Sequence, residues 1–136
     1  MTQPGSTTAP RRRRILVAED EELILRVFEA ILGKAGFEVL SAENGNRAVS
    51  LFDAEPDSID LVITDLSLPG LTGEGLAAHV RRTRPTLPII FSTGNITDAP
   101  NKAVESFQGA LFLPKPFGFD DLTSVVNQAL SQPLEH

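Results

Sequence analysis

Asp60-Leu61-Val62-Ile63-Thr64-Asp65 is the stretch of this sequence that most strongly decides its fold. Its central residues are apolar without a break and lack the alternation of a strand that has one face in water. A strand that is apolar on both faces must be covered on both faces, as in a parallel sheet flanked by helices. The stretch therefore predicts a buried parallel strand that ends on a carboxylate, Asp65.

Four further short apolar segments predict strands of the same kind, at residues 15–18, 37–42, 88–93 and 110–113. Apolar side chains spaced by three and four residues predict helices over 22–35, around 48–52, from 72 to about 84, over 98–107 and around 122–130. Five strands that alternate with five helices predict a doubly wound α/β fold. Right-handed crossovers leave a few strand orders open, the flavodoxin-like order 2-1-3-4-5 among them.

Two apolar stripes run along the first predicted helix. One consists of Leu23, Val27 and Ile31, and the other of Leu25, Phe28 and Leu32. Gly36 follows as a C-terminal cap. Thr72 is the predicted N-terminal cap of the third helix.

Charge and composition limit the classes of function. The net charge of -6 includes four consecutive arginines at positions 11–14, so the rest of the chain carries -10. This acidic body argues against nucleic-acid binding by the domain. The chain has no Cys, and no apolar run reaches the ~18 residues of a membrane span, so we expect a cytoplasmic protein.

The 136 residues fit one domain, which we expect to occupy residues 14–131. Residues 1–13 are expected to form a disordered basic leader. Residues 132–136 form a C-terminal tail whose last three residues resemble the start of a purification tag.

Polar side chains follow the predicted strands at their carboxyl ends. Glu19 and Asp20 follow the first strand, Asp65 closes the third, Thr93 closes the fourth and Lys115 follows the fifth. In a parallel sheet these ends share one edge, so the side chains should converge. Three neighbouring carboxylates repel one another unless a cation joins them, and oxygen ligands of this kind suit Mg²⁺. Glu21 and Glu22, by contrast, are typical acids of a helix N-terminus.

Four segments carry a resemblance to a known family. They read Ile15-Leu-Val-Ala-Glu-Asp-Glu21, Asp60-Leu-Val-Ile-Thr-Asp-Leu-Ser-Leu-Pro-Gly70, Phe91-Ser-Thr-Gly94 and Phe112-Leu-Pro-Lys-Pro-Phe117. In order and spacing, from about Arg14 to Leu130, they resemble the receiver domains of two-component systems. Residues 68–73 and 113–117 look most like the receivers of hybrid sensor histidine kinases.

The resemblance implies a sheet of order 2-1-3-4-5 and a role for each site residue. Asp65 would be the phosphoacceptor, and Glu19, Asp20, Asp65 and the backbone carbonyl of Ser67 would bind Mg²⁺. Thr93 and Lys115 would bind phosphoryl oxygens, Phe112 would be the switch aromatic, and the bond before Pro116 would be cis. Two positions depart from the common pattern, since Glu19 stands where Asp is more frequent and Phe112 where many members carry Tyr.

The resemblance also implies partners. A histidine kinase or histidine phosphotransfer domain would donate the phosphoryl group, and a downstream protein, or other domains of a parent chain, would sense it. Such a domain is not an enzyme in the usual sense, because it catalyses only its own phosphorylation and slow dephosphorylation. No DNA-binding segment follows the domain in this sequence, so we expect output either through protein contacts or through the rest of a longer parent chain.

Other functions remain open from the residues. A receiver that docks without being phosphorylated would have the same fold. A Toprim-like phosphotransfer enzyme or a haloacid-dehalogenase-type phosphatase also places acids after strands. Those enzymes need an Asp-x-Asp pair, and Ser67 occupies its second position here.

Overall fold

One parallel sheet of five strands lies at the centre of the computed structural model, which describes residues 12–94 and 99–131. The strands are β1 (Arg14–Ala18), β2 (Glu38–Ala42), β3 (Leu61–Asp65), β4 (Ile89–Thr93) and β5 (Leu111–Pro114). The α-helices of the described residues are α1 (Glu22–Lys34), α2 (Gly45–Ala54), α3 (Gly73–Thr83), α4 (Ala99–Ser106) and α5 (Phe119–Ser131). The strand order β2-β1-β3-β4-β5 confirms the flavodoxin-like, doubly wound fold.

Each face of the sheet is covered by its own set of helices. Successive strand residues point to opposite faces, so alternate positions enter different cores. Ile63 and Ile90 pack with residues of α1 and α5, on what we call the α1/α5 face. Val62 and Phe91 pack with residues of α2, α3 and α4, on the α2–α4 face. Two layers of helices around one apolar sheet account for the unbroken apolar strands in the sequence.

Side chains and a glycine set the ends of the helices. The Thr72 side chain accepts a hydrogen bond from the Gly75 backbone N–H at 3.1 Å, and α3 begins just after it. Gly36, with a φ of 98°, follows the end of α1 and lets the Phe37 N–H donate to the Leu32 carbonyl at 3.0 Å. Both predicted caps are therefore present.

A short 3-10 helix (Pro56–Ser58) between α2 and β3 was not predicted, because three residues are too few to show a periodicity. The Arg84 guanidinium donates hydrogen bonds to the carbonyls of Pro56 and Ile59, at 2.6 and 2.9 Å. This long-range bridge from the end of α3 orders the segment that leads into β3.

One residue of the arginine run, Arg14, lies in the sheet, and Arg13 borders it. The Arg13 carbonyl accepts a hydrogen bond from the Glu38 N–H at 2.9 Å, so the ladder begins inside the predicted leader. The Arg14 side chain is 22% exposed and pairs with Glu38 and Glu55. Residues 1–11 of the predicted leader and the predicted tail at 132–136 lie outside the described residues.

The loop between β3 and α3 is held by two close backbone approaches. A Cβ atom added to Gly45 would lie 2.2 Å from the Leu71 carbonyl oxygen, and one added to Gly73 would lie 2.1 Å from the Asp65 carbonyl oxygen. Because backbone atoms cannot turn aside as a side chain can, only glycine fits at these two positions. The loop that follows Asp65 is thus packed tightly against the start of α2.

We predict that Gly45→Ala lowers the free energy of unfolding by roughly 1–3 kcal/mol, because the added methyl group forces backbone apart. The matched control is Gly33→Ala in α1, where nothing lies within 4 Å of the new Cβ atom. That control should be neutral or stabilising by up to about 1 kcal/mol. Urea unfolding followed by far-ultraviolet circular dichroism compares the two, and wild-type stability of Gly45→Ala would contradict the close packing.

Candidate functional site

The carboxyl ends of the strands meet at one edge of the sheet, as the sequence predicts. Asp65 closes β3, Thr93 closes β4, and Lys115 comes directly after β5. These three residues line one cavity of about 580 Å³, together with Ser67 and Gly94. The site therefore gathers side chains that lie up to 50 residues apart in the sequence.

The Lys115 ammonium is the centre of this site. Its Nζ atom lies 2.8 Å from Asp65 Oδ2, to which it donates a hydrogen bond, and 2.8 Å from Glu19 Oε1. The contact with Glu19 has the distance of an ion pair but not the direction of a hydrogen bond, and Oε1 makes no hydrogen bond with the described residues. All three side chains are nearly inaccessible to solvent, with exposed fractions of 11% for Lys115, 8% for Asp65 and 0% for Glu19.

Backbone N–H groups hold the two carboxylates in place. The Ser67 N–H donates to Asp65 Oδ1 at 3.0 Å, and the Glu21 N–H donates to Glu19 Oε2 at 3.1 Å. Both oxygens of Asp65 thus have a donor, one from Lys115 and one from the loop.

Burial changes the acidity of this cluster. Burial raises the pKa of Glu19 above its ordinary value, although the Lys115 ammonium and the Glu21 N–H act in the opposite direction. Burial lowers the pKa of Lys115, but the hydrogen bond to Asp65 and the negative charges of Asp65 and Glu19 outweigh it, so its pKa is raised. Lys115 therefore stays charged and offsets carboxylates that would otherwise repel one another.

Glu19, Asp20 and Asp65 form an acidic cluster that fits a divalent cation. One carboxylate oxygen from each lies within 4.8 Å of the other two. The Oε1 atom of Glu19 has hydrogen-bonding capacity to spare, and Asp20 is exposed, so a cation could enter from solvent. Hard oxygen ligands in this number suit Mg²⁺, which keeps part of its water shell. The residues present thus fit the predicted ion.

The two predicted switch residues, Thr93 and Phe112, share the α2–α4 face of the sheet. Phe112 pairs in register with Phe91 and is half-buried against the core of the α2–α4 face. Thr93 lies two residues after Phe91, on the same side, and is 5% exposed. The structure also places a cis peptide bond between Lys115 and Pro116.

The sequence did not indicate the apolar wall beside Asp65, by which we mean Ile24 and Val27, the apolar residues of α1 that line the same cavity. Leu23 and Val27 of α1 are 81% and 43% exposed, whereas Phe28 and Leu32 of the second stripe are buried. A helix that packs on one face of a sheet can bury only one of its two apolar stripes. The presence of two stripes in the sequence could therefore have indicated that one of them is exposed. The sequence also predicts Glu21 to be an ordinary acid of the helix N-terminus, whereas its Oε1 lies 3.8 Å from Lys115 Nζ.

Comparisons with known proteins place the chain in a family. A family model described as the response regulator receiver domain matches residues 15–127. The response regulator receiver protein CpdR of Brucella abortus is 35% identical over 118 residues, which cover 87% of this chain and 97% of CpdR. The crystal structure of the receiver domain from the hybrid histidine kinase CckA has a TM-score of 0.74 at 34% identity, covering 87% of this chain and 99% of that one.

Longer proteins match as well. The uncharacterized transcriptional regulatory protein YrkP of Bacillus subtilis is 38% identical over 114 residues, which cover 80% of this chain and 46% of YrkP. The DNA-binding transcriptional regulator NtrC of Salmonella typhimurium is 31% identical over 123 residues, which cover 89% of this chain and 25% of NtrC. The chain thus spans less than half of these longer relatives.

The chain belongs to the response regulator receiver domain family, which consists of signalling domains of two-component systems. Its fold matches that of the CckA receiver, and its relatives include receivers that stand alone and receivers joined to further domains. Within residues 12–94 and 99–131, no helix has the length and hydrophobicity needed to cross a membrane.

We predict that Lys115→Ala lowers the free energy of unfolding by about 2 kcal/mol near neutral pH without metal, because two buried carboxylates lose their cation. The raised pKa of Glu19 means that the folded chain holds this proton more tightly than the unfolded chain. Stability therefore falls as the pH rises above the ordinary carboxyl pKa of 4.5, and losing Lys115 steepens that fall.

The measurement is urea unfolding in EDTA at about pH 5 and about pH 7.5. Lys34→Ala, at the exposed end of α1, is the matched control and should change little at either pH. A Lys115→Ala defect that is equal at both pH values would show that the ion pair is not its cause.

Proposed function

We propose that this receiver domain accepts a phosphoryl group on Asp65 from the phosphohistidine of a histidine kinase or histidine phosphotransfer domain. The observation that carries the proposal is the 2.8 Å contact between Asp65 Oδ2 and Lys115 Nζ, at the sheet edge where Glu19 and Asp20 also converge. A carboxylate held beside a buried cation, in an open cavity, is arranged to receive a group that carries negative charge.

Phosphoryl transfer to Asp65 depends more on the precise placement of the reacting groups than on a strong nucleophile. The Ser67 N–H and Lys115 orient the Asp65 carboxylate, one oxygen of which attacks phosphorus as the phosphorus–nitrogen bond of the donor breaks. The electron pair of that bond stays on the donor imidazole. Lys115 then pairs with a phosphoryl oxygen. Mg²⁺, held by Glu19, Asp20, Asp65 and the Ser67 carbonyl, supplies further positive charge when bound.

The reaction serves as a switch rather than as turnover of a separate substrate. Phosphorylation adds roughly 1.5 to 2 negative charges at neutral pH. We infer that Thr93 moves toward this charge and that Phe112 turns into the space it leaves. These residues lie at β4 and β5 on the α2–α4 face, so the protein-binding surface around α4, β5 and α5 changes. Slow hydrolysis of the aspartyl phosphate resets the domain.

The donor is proposed to approach along α1. Leu23 and Val27 are exposed, and Ile24 and Val27 line the same cavity as Asp65. An apolar surface beside a phosphoryl-accepting carboxylate suits a protein partner whose own apolar helix carries the histidine. Contact over this wall would bring the phosphohistidine to the open side of Asp65.

Output is proposed to pass through protein contacts, either with a separate protein or with other domains of a longer chain. The strongly acidic body makes nucleic acid an unsuitable partner for this domain itself. A cytoplasmic location belongs to the same proposal, because the phosphoryl group of the donor histidine derives from ATP. The second candidate function is that of a receiver that docks without phosphorylation. The presence of every predicted site residue favours the phosphorylated receiver over this alternative.

We predict that acetyl phosphate with Mg²⁺ adds one phosphoryl group to the wild-type chain and none to Asp65→Asn. The matched control is Asp60→Asn, which changes the acid at the opposite end of the same buried segment. That control should be labelled like wild type. Intact-mass spectrometry measures each product. An unlabelled wild-type chain would favour the docking receiver, and a labelled Asp65→Asn variant would place the phosphoryl group elsewhere.

We predict that Asp20→Asn abolishes labelling and raises the melting temperature of the metal-free domain, because one of three crowded charges is removed. Glu22→Gln is the control, since Glu22 is exposed in the first turn of α1 and outside the cluster. The chain has no Trp or Tyr, so calorimetry is the suitable measure of Mg²⁺ binding. Wild-type Mg²⁺ affinity in Asp20→Asn would exclude Asp20 from the metal site.

A further inference from the structure

Ser92, in β4, carries a buried hydroxyl group that the reaction described above does not use. Its side chain is fully inaccessible to solvent, and its Oγ atom has no hydrogen-bond partner among the described residues. Buried hydroxyl groups in native proteins nearly always have a partner, and each exception calls for an explanation. Alanine at this position would avoid the cost of burying the hydroxyl group.

The position of Ser92 relates this hydroxyl group to Asp65. In the register of β3 and β4, Ser92 is the direct partner of Asp65. Ile63 and Ile90 precede the two residues by two positions and both pack on the α1/α5 face, so Asp65 and Ser92 share that face. Neighbouring strands lie only about 4.8 Å apart, which sets the Ser92 hydroxyl beside the base of the Asp65 side chain.

The unphosphorylated site explains why Ser92 has nothing to donate to. Oδ1 of Asp65 already accepts from the Ser67 N–H, and Oδ2 accepts from Lys115. Lys115 approaches from β5, on the side of Ser92 away from Asp65, and it is also held by Glu19. As long as both donors stay in place, neither carboxylate oxygen turns toward the hydroxyl group.

We propose that Ser92 is a positioning residue for the aspartyl phosphate. With phosphorus bonded to Oδ1, Oδ2 becomes the carbonyl oxygen of phosphorylated Asp65. Once Lys115 has moved from Oδ2 to a phosphoryl oxygen, Oδ2 loses that donor, and the Ser92 hydroxyl turns to donate to it. This inference rests on the proposed phosphorylation of Asp65.

The hydrogen bond has a chemical consequence for hydrolysis. Water attacks phosphorus, its oxygen forms the new bond, and the bond between phosphorus and the Asp65 oxygen breaks. The electron pair returns to the carboxylate, and the proton of the water passes to solvent. A donor on the other carboxyl oxygen stabilises the negative charge that develops there. Ser92 therefore shortens the lifetime of the phosphorylated state.

The test follows the decay of the aspartyl phosphate after labelling with acetyl phosphate and Mg²⁺ and removal of the reagent. Ser92→Ala should lengthen the half-life about threefold to tenfold, the effect of one hydrogen bond. Ser92→Thr and Ser92→Val form a matched pair that differs only in the hydroxyl group. The Thr variant should decay close to the wild-type rate, and the Val variant should decay as slowly as Ser92→Ala.

A second measurement separates this role from a structural one. Infrared difference spectra of the phosphorylated domain, with ¹³C-labelled aspartate, report the carbonyl stretch of the aspartyl phosphate. Loss of the hydrogen bond should shift that band to higher wavenumber in Ser92→Ala and Ser92→Val but not in Ser92→Thr. The melting temperature of unphosphorylated Ser92→Ala should stay at or above that of wild type.

Each outcome has a distinct meaning. Equal decay rates and an unshifted carbonyl band across the variants would overturn the role of Ser92 while leaving phosphorylation of Asp65 intact. Faster decay in Ser92→Ala would overturn it as well. A wild-type chain that takes up no phosphoryl group would overturn the proposed function, and the role of Ser92 with it.

Discussion

A single ammonium group, Lys115 Nζ, joins two buried carboxylates that the topology of the sheet forces together. Parallel strands end at the same edge of the sheet, so Glu19, which follows β1, and Asp65, which ends β3, lie close together there. Two negative charges with almost no access to water would repel each other and oppose folding. The Lys115 cation, which follows β5 and lies two strands away from β3 in the sheet, makes this arrangement stable, and in the proposed function it would also pair with the phosphoryl group that Asp65 receives.

Strand β4 connects the chemistry with the response. Ser92 and Thr93 are consecutive and therefore point to opposite faces of the sheet. Ser92 shares the α1/α5 face with Asp65, whereas Thr93 shares the α2–α4 face with Phe112. In the proposed switch, a displacement of the end of β4 would therefore act on the phosphoryl group at Asp65 and on the surface near Phe112 at once.

Most of the fold and much of the site could be predicted from the sequence, for a physical reason. Unbroken apolar strands require helices on both faces, and parallel strands require their carboxyl ends to converge, so Asp65 and Lys115 could be placed together. Strand register could not be predicted, and without it nothing sets Ser92 beside Asp65. The spacing of apolar residues predicts a helix but does not show which apolar residues the sheet covers. Leu23 and Phe28 could therefore not be distinguished from the sequence, although Leu23 is exposed and Phe28 is buried.

The close packing at Gly45 and Gly73 restricts movement of the loop after Asp65 on the side that faces α2. Backbone meets backbone there, which leaves the loop after Asp65 no room to yield toward α2. In the proposed switch, a strain generated at Asp65 would therefore relax away from α2, toward Thr93, Phe112 and the short helix α4. The tightly packed loop would thus act as a fixed support for the movement of those residues.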